Sequence, residues 1–203
     1  MLRTLELEIV LGRLLPRERL VEDELMDRLG AKRNHVRTAL IALEGMGLVE
    51  RRPNRGSVVR TYDAQEVEEL TAFRADLHRM AVAQMPLPLP TPVLAELADF
   101  AAAHEAAVEA AHLADVVVLN DAFHDRLFEQ CQNRFLSDSI TKHGRISRAF
   151  RSYRIGAPEL LTQAAREHRR MIELAAQGGR AELSELVVQH IMPSVKLYLS
   201  QTR

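Results

Sequence analysis

Strand character is confined to one stretch of this chain, and that confinement limits what it can fold into. Leu48-Val49-Glu50-Arg51-Arg52 and Ser57-Val58-Val59-Arg60-Thr61 flank Pro53-Asn54-Arg55-Gly56, which predicts a two-stranded hairpin with a four-residue turn. Everything else reads as helix. Leu2, Leu5, Ile9 and Val10 recur at helical spacing up to Gly12. A short helix fits Val21 to Leu29, closed by Gly30, and a third fits Arg33 to Gly45 with Val36, Leu40 and Leu43 on one face. After Tyr62 the character changes. Asp63 with Glu66 has capping-box spacing and starts a long helix to about Gln84. Further helices fit about 91–110, 113–132, 134–155, 158–177 and 180–201, with Pro193 expected at a kink in the last. The predicted fold class is therefore mainly α: a winged helix-turn-helix over residues 1–62, then an all-α bundle of about six helices over 63–203.

Composition narrows the partners. The first 62 residues carry a net +3 and the remainder −4. That asymmetry suggests a division of labour, although +3 is a small excess for a nucleic-acid binder. One cysteine, Cys131, excludes an internal disulfide framework and a cysteine-rich zinc module. No apolar run reaches the ~18 residues of a membrane span, and acids stand where a secretory signal would be apolar. A soluble, cytoplasmic protein with no membrane partner is expected.

The N-terminal unit has the order helix, helix, turn, helix, hairpin. Two helices form a platform, and the third can enter a major groove about 12 Å wide. Its start carries Lys32, Arg33, Asn34, His35 and Arg37, groups that reach phosphates or base edges. The hairpin turn adds Arg52, Arg55 and the small Gly56.

At this point the residues resemble a family. Gly12-Arg-Leu-Leu-Pro16 with Arg19, Leu20, Glu22 and Leu25 is followed by Leu29-Gly30-Ala-Lys-Arg33 with Val36, Arg37, Ala39, Leu40, Leu43 and Glu44. Gly47-Leu48-Val49 and Arg55-Gly56 with Val59 complete the pattern, which is similar to that of the GntR superfamily of bacterial repressors. The resemblance implies DNA contacts by an arginine at the start of the second helix, two arginines of the recognition helix and the wing-tip glycine. These fall on Arg19, Arg33, Arg37 and Gly56, with Arg55 beside it; Asn34 and His35 depart from the family and bear on which bases are read. The family usually has Ser-Arg-Thr-Pro where this chain has Lys32-Arg33-Asn34-His35, so the serine cap is lost, at about 1 kcal/mol.

The C-terminal unit holds most of the eight histidines. Asn120 and His124 share a helix face at i, i+4 spacing. His168 precedes Ile172 by one turn, and His190 sits in the apolar stretch Val187-Val188-Gln-His190-Ile-Met. Three imidazoles on separate helices, each beside apolar neighbours, can converge inside a bundle and suit zinc, nickel or a similar ion. His104, His112 and His143 read as surface. The pattern resembles the FCD effector domain of the FadR-like branch of the same regulators. That resemblance implies a divalent metal, zinc or nickel, on Asn120, His124, His168 and His190. Many relatives have Asp where Asn120 stands, and a neutral amide is the weaker ligand. The resemblance also implies a small carboxylate effector held by Arg74, and a different pocket chemistry where His78 replaces the usual Glu. Arg145, Arg148 and Arg151 lie in a row along another helix, with Arg148 the second candidate for the pocket and a solvated helix face the commoner reading of such a row.

The expected function is a ligand-responsive regulator, more often a repressor, binding a palindromic operator as a homodimer. Two other classes compete. A metalloenzyme would use three histidines and an open position, with Glu167 the nearest general base, but a DNA reader precedes the bundle. An architectural DNA binder would carry the same histidines as structure only.

Overall fold

The computed structural model describes residues 1–52, 56–151 and 156–201. The N-terminal unit is built from α1 (Leu2–Val10), β1 (Arg19–Leu20), α2 (Glu22–Leu29), α3 (Arg33–Gly45), β2 (Val49–Arg52) and β3 (Gly56–Val59). Its core is the set of apolar positions the periodicity selects, among them Leu5, Ile9, Leu25, Val36, Leu40, Leu43, Leu48 and Val59. Gly30 closes α2 in the left-handed conformation, at φ 58°. Lys32 caps α3 with no side-chain hydrogen bond, as the missing serine implies.

The sheet has three strands rather than two, in the order β1-β3-β2, all antiparallel. Arg19 pairs with Val58 and Leu20 with Ser57. A two-residue strand carries no alternation that sequence reading can detect. The backbone reveals it: Arg17 N–H donates to Val59 O at 3.0 Å and Val59 N–H donates to Glu18 O at 2.9 Å.

The bundle follows. Asp63 starts α4 (Ala64–Gln84) with a complete capping box: Glu66 N–H donates to Asp63 Oδ1 at 2.8 Å, and Asp63 N–H donates to Glu66 Oε2 at 3.1 Å. Then come α5 (Thr91–Glu109), α6 (Leu113–Phe128), a 3-10 turn (Glu129–Cys131) and α7 (Arg134–Ile146). The remaining helices are α8 (Arg148–Arg151), α9 (Pro158–Gln177), α10 (Arg180–Gln189) and α11 (Met192–Gln201). Phe123, Leu127, Phe128, Leu97, Met171 and Leu183 centre the main core.

Two expected single helices are broken. The 134–155 helix stops at Ile146. The buried Ser147 hydroxyl donates back to Gly144 O at 2.7 Å, a local bond that competes with the helical ladder. The 180–201 helix divides at His190 and Ile191, because Pro193 has no N–H to donate and its ring crowds the carbonyl of Gln189.

The winged unit meets the bundle through a small cluster of Tyr62, Val67, Phe150, Val195 and Tyr198. Tyr62 Oη donates to Gly47 O at 2.7 Å, and Tyr198 Oη donates to Tyr62 O at 2.7 Å. Burial pushes the Tyr62 phenol up to about 12, so it stays a donor throughout the neutral range. Gly47 has φ +72°, and a Cβ there would lie 2.5 Å from Tyr62 Oη and 3.2 Å from Ile146 Cγ2. Gly47→Ala adds a left-handed strain of roughly 1–2 kcal/mol to that overlap. A fall of more than about 2 kcal/mol in urea-unfolding stability is expected; an unchanged midpoint would contradict the packing.

Candidate DNA-reading face and metal centre

Arg33, Asn34, His35 and Arg37 are exposed on the first two turns of α3, clear of the buried Val36, Ala39 and Leu40. Both arginines are held by the start of α2. Arg33 Nη2 lies 2.6 Å from Asp23 Oδ1 and its Nη1 lies 3.5 Å from Glu22 Oε2. Arg37 Nε donates to both Glu22 oxygens, at 2.9 and 3.0 Å. These pairs engage the guanidinium groups themselves, and both arginine side chains remain about half exposed. Arg19 is exposed but stands in β1, not at a helix start. Gly56 has φ +79° and open space around it, so glycine is required by backbone conformation rather than crowding. Arg55 lies outside the described residues.

In the bundle, α6, α9 and the end of α10 bring three histidines together. His124 Nε2 lies 3.1 Å from His190 Nε2 and 3.3 Å from His168 Nε2, and all three ligand atoms fall within 4.8 Å of one another. His168 and His190 are buried and His124 is half-buried. The spacing is close to the roughly 3.3 Å between neighbouring nitrogens on a tetrahedral ion with bonds of about 2.0–2.1 Å. Glu167 Oε2 is 2.5 Å from His190 Nδ1, and Gln163 Nε2 donates to Glu167 Oε1 at 2.6 Å. In the tautomer that gives its Nδ1–H to this carboxylate, His190 presents a lone pair at Nε2 toward the other rings. Three imidazole nitrogens this close, one of them oriented by a carboxylate, form a donor set that fits a divalent metal.

Asn120, one turn before His124 on α6, is half-buried, and its amide donates to Asp121 Oδ1 at 3.2 Å. A small pocket of about 40 Å³ lies beside His124 and His190 and is lined by Arg74, His78, Asp121, His124, Asp125, Thr141, Arg145 and Ser194, among others. Arg74 and His78 are buried one turn apart on α4, and His78 stacks on Phe128 with ring centroids 4.5 Å apart. Arg148 is absent from the pocket lining. It is a half-buried ion-pair partner of Asp121 and Glu6, because the break at Ser147 carries it away from the α7 face that holds Thr141 and Arg145. Arg145, read earlier only as one of a row of helix arginines, takes the place beside the pocket. Asp125, Thr141 and Ser194 were not singled out from sequence.

His104 corrects another expectation. It is buried, and its ring sits 4.8 Å from that of His168. The signal was present: Leu97, Ala101, His104 and Ala107 form one buried helical stripe. Glu167, the general-base candidate of the enzyme reading, is occupied in orienting His190.

Comparisons with known proteins agree with this architecture. Residues 69–192 match the FCD domain, and residues 2–59 match the bacterial regulatory proteins of the gntR family. The chain is similar to the uncharacterized HTH-type transcriptional regulator YdhC of Bacillus subtilis (strain 168), at 25% identity over 183 residues, 88% of this chain and 80% of that protein. Among solved structures, E. coli McbR/YncC superposes with TM-score 0.82 at 19% identity, covering 100% of this chain and 96% of that one. A putative GntR transcriptional regulator from Rhodococcus sp. RHA1 gives 0.80 at 19% identity, covering 100% and 97%. At these identities the structures speak for the fold.

Proposed function

Because the chain belongs to the GntR family of DNA-binding bacterial regulators and carries an FCD domain, and is therefore a transcription factor and not an enzyme, we propose that it is a cytoplasmic repressor released by a small organic acid. Residues 1–62 read the operator and residues 63–203 sense. The carrying observation is that two of the three clustered imidazoles, His124 and His190, line one pocket with the buried Arg74. A guanidinium there offers paired N–H donors to a carboxylate. His124, His168 and His190 hold a divalent ion, zinc or nickel, which would supply a second positive contact for the same carboxylate. Arg145 adds a second guanidinium to a lining that also holds Asp121 and Asp125.

The test uses a duplex selected from a random pool by the wild-type protein. Small mono- and dicarboxylates are titrated against the complex. At least one is expected to release the DNA from the wild type and to lose about tenfold or more in potency with Arg74→Met, while DNA affinity without acid is unchanged. A set of acids with no effect on either protein would overturn the effector reading and leave the architectural one.

The homodimer has a candidate surface. Phe73 and Met80 on α4 and Phe135 on α7 are 46%, 52% and 71% exposed. Asn133 against Gln84 and Phe73 against His143 show that these two helices run antiparallel. The exposed side of α4 carries Glu69 and the ion pair of Asp76 with Arg79, and that of α7 carries Arg134, Asp138 and Lys142. A two-fold axis that lays α4 of one copy on α7 of the other joins the apolar centres. Met80→Asp with Phe135→Asp is expected to give a monomer by light scattering and about a hundredfold weaker operator binding, since the two half-sites are no longer linked. A variant that remains dimeric would place the interface elsewhere.

A further inference from the structure

One arginine joins the wall of the pocket to the DNA-reading unit. Arg148, at the start of α8, donates from Nε to Asp121 Oδ2 at 2.7 Å and also pairs with it through Nη2. Its Nη1 pairs with Glu6 of α1. The side chains of Arg148, Asp121 and Glu6 are only 13%, 18% and 15% exposed. One cation thus serves two carboxylates that water screens poorly, and each carboxylate competes for it. Asp121 precedes His124 by one turn on α6 and lines the same pocket. The other pocket carboxylate on that helix, Asp125, accepts from Thr141 Oγ1 at 2.6 Å. Asn120, the position where relatives carry an acid, offers only a neutral amide, whose N–H donates to Asp121 Oδ1 at 3.2 Å.

We propose that Asp121 is the carboxylate partner of the histidine site and that Arg148 competes with the cation for it, so that occupancy of the bundle is transmitted to α1 through Glu6. With a divalent cation held by the three imidazoles, Asp121 turns from Arg148 to the cation, and Arg148 passes wholly to Glu6. The bond between α6 and α8 is then released, and α8 and α1 tighten as a pair. The inference rests on the metal reading of the histidines and adds a residue and a route that the reading does not contain. Coupling of this kind is reciprocal, so a change at Glu6 must appear in the affinity of the distant cation.

That reciprocity supplies the test. Zinc affinity of the full-length protein is measured by competition with a chromophoric chelator, for wild type, Arg148→Met, Glu6→Gln and Asp121→Asn. Arg148→Met removes the competitor and is expected to tighten zinc about fivefold or more. Glu6→Gln leaves Arg148 to Asp121 alone and is expected to weaken zinc by a similar factor. Asp121→Asn weakens zinc and cancels the effect of adding either other substitution. Opposite shifts from two residues outside the pocket are not produced by general loss of structure, which weakens both; circular dichroism confirms that each variant is folded. Equal zinc affinity in wild type, Arg148→Met and Glu6→Gln overturns the coupling while the histidine site stands. Zinc that binds none of the proteins overturns the site and the coupling with it.

Discussion

Replacing Arg33 and Arg37 together by alanine is expected to abolish operator binding while leaving the bundle intact. Each arginine that contacts a base or a tightly held phosphate contributes about 1–3 kcal/mol, so the pair accounts for roughly two to four decades of affinity per protomer. The structure adds to that figure. Both guanidinium groups neutralise Glu22 and Asp23, and their removal leaves two carboxylates facing the phosphates with no cation beside them. Part of the loss is therefore repulsion. Adding Glu22→Gln and Asp23→Asn to the double alanine variant is expected to restore non-specific binding but not sequence discrimination. The slope of log affinity against log salt should also fall by about one for every phosphate contact removed. Fluorescence anisotropy at several salt concentrations measures both. Unchanged affinity in the double variant would remove α3 from the interface.

His124→Ala is expected to strip the metal centre. His124 is the member that makes both close contacts, 3.1 Å to His190 and 3.3 Å to His168, so its loss leaves two separated imidazoles. Elemental analysis of untagged wild-type protein should find about one zinc or nickel per chain, against almost none in the variant. Glu167→Gln is milder, since the carboxylate only orients His190; about 10–100-fold weaker binding is the ordinary cost of losing such a partner. Stability gives an independent readout. An ion present at a thousand times its Kd stabilises the folded chain by about 4 kcal/mol. Added zinc should therefore raise the melting temperature of the wild type and leave that of His124→Ala where it was. Wild-type protein without metal, and indifferent to added zinc, would reduce the histidines to packing.

The winged unit was readable because its constraints are local. Helix stops such as Gly30, the hairpin flanking residues 53–56 and the apolar stripe of α3 each depend on neighbours a few residues away. The same holds for the Asp63–Glu66 box. Convergence of His124, His168 and His190 was legible because each stood on an apolar helical stretch. What escaped depends on distant contacts. Strand β1 exists only because β3 offers it an edge. Arg148 was a candidate for the pocket on an expected continuous helix, and that helix ends at Ile146, with the back-bonded Ser147 one residue before Arg148. Asn120 shares the i, i+4 relation with His124, yet Asp121, at i, i+3, is the residue that lines the pocket. Both spacings share a helix face, and only packing decides between them.

The contact of Gly47, Tyr62 and Ile146 limits how freely these proteins can be recombined. A reading unit grafted onto this bundle keeps the joint only if it brings a glycine to the turn after the recognition helix, because any side chain there would meet Ile146 and the Tyr62 hydroxyl. Chimeras cut at the nominal boundary near residue 62 should therefore misfold or lose their response unless all three positions travel together. Evolution of a new operator preference in this chain is correspondingly directed to α3 and the wing, whose outer surfaces can change without disturbing the joint.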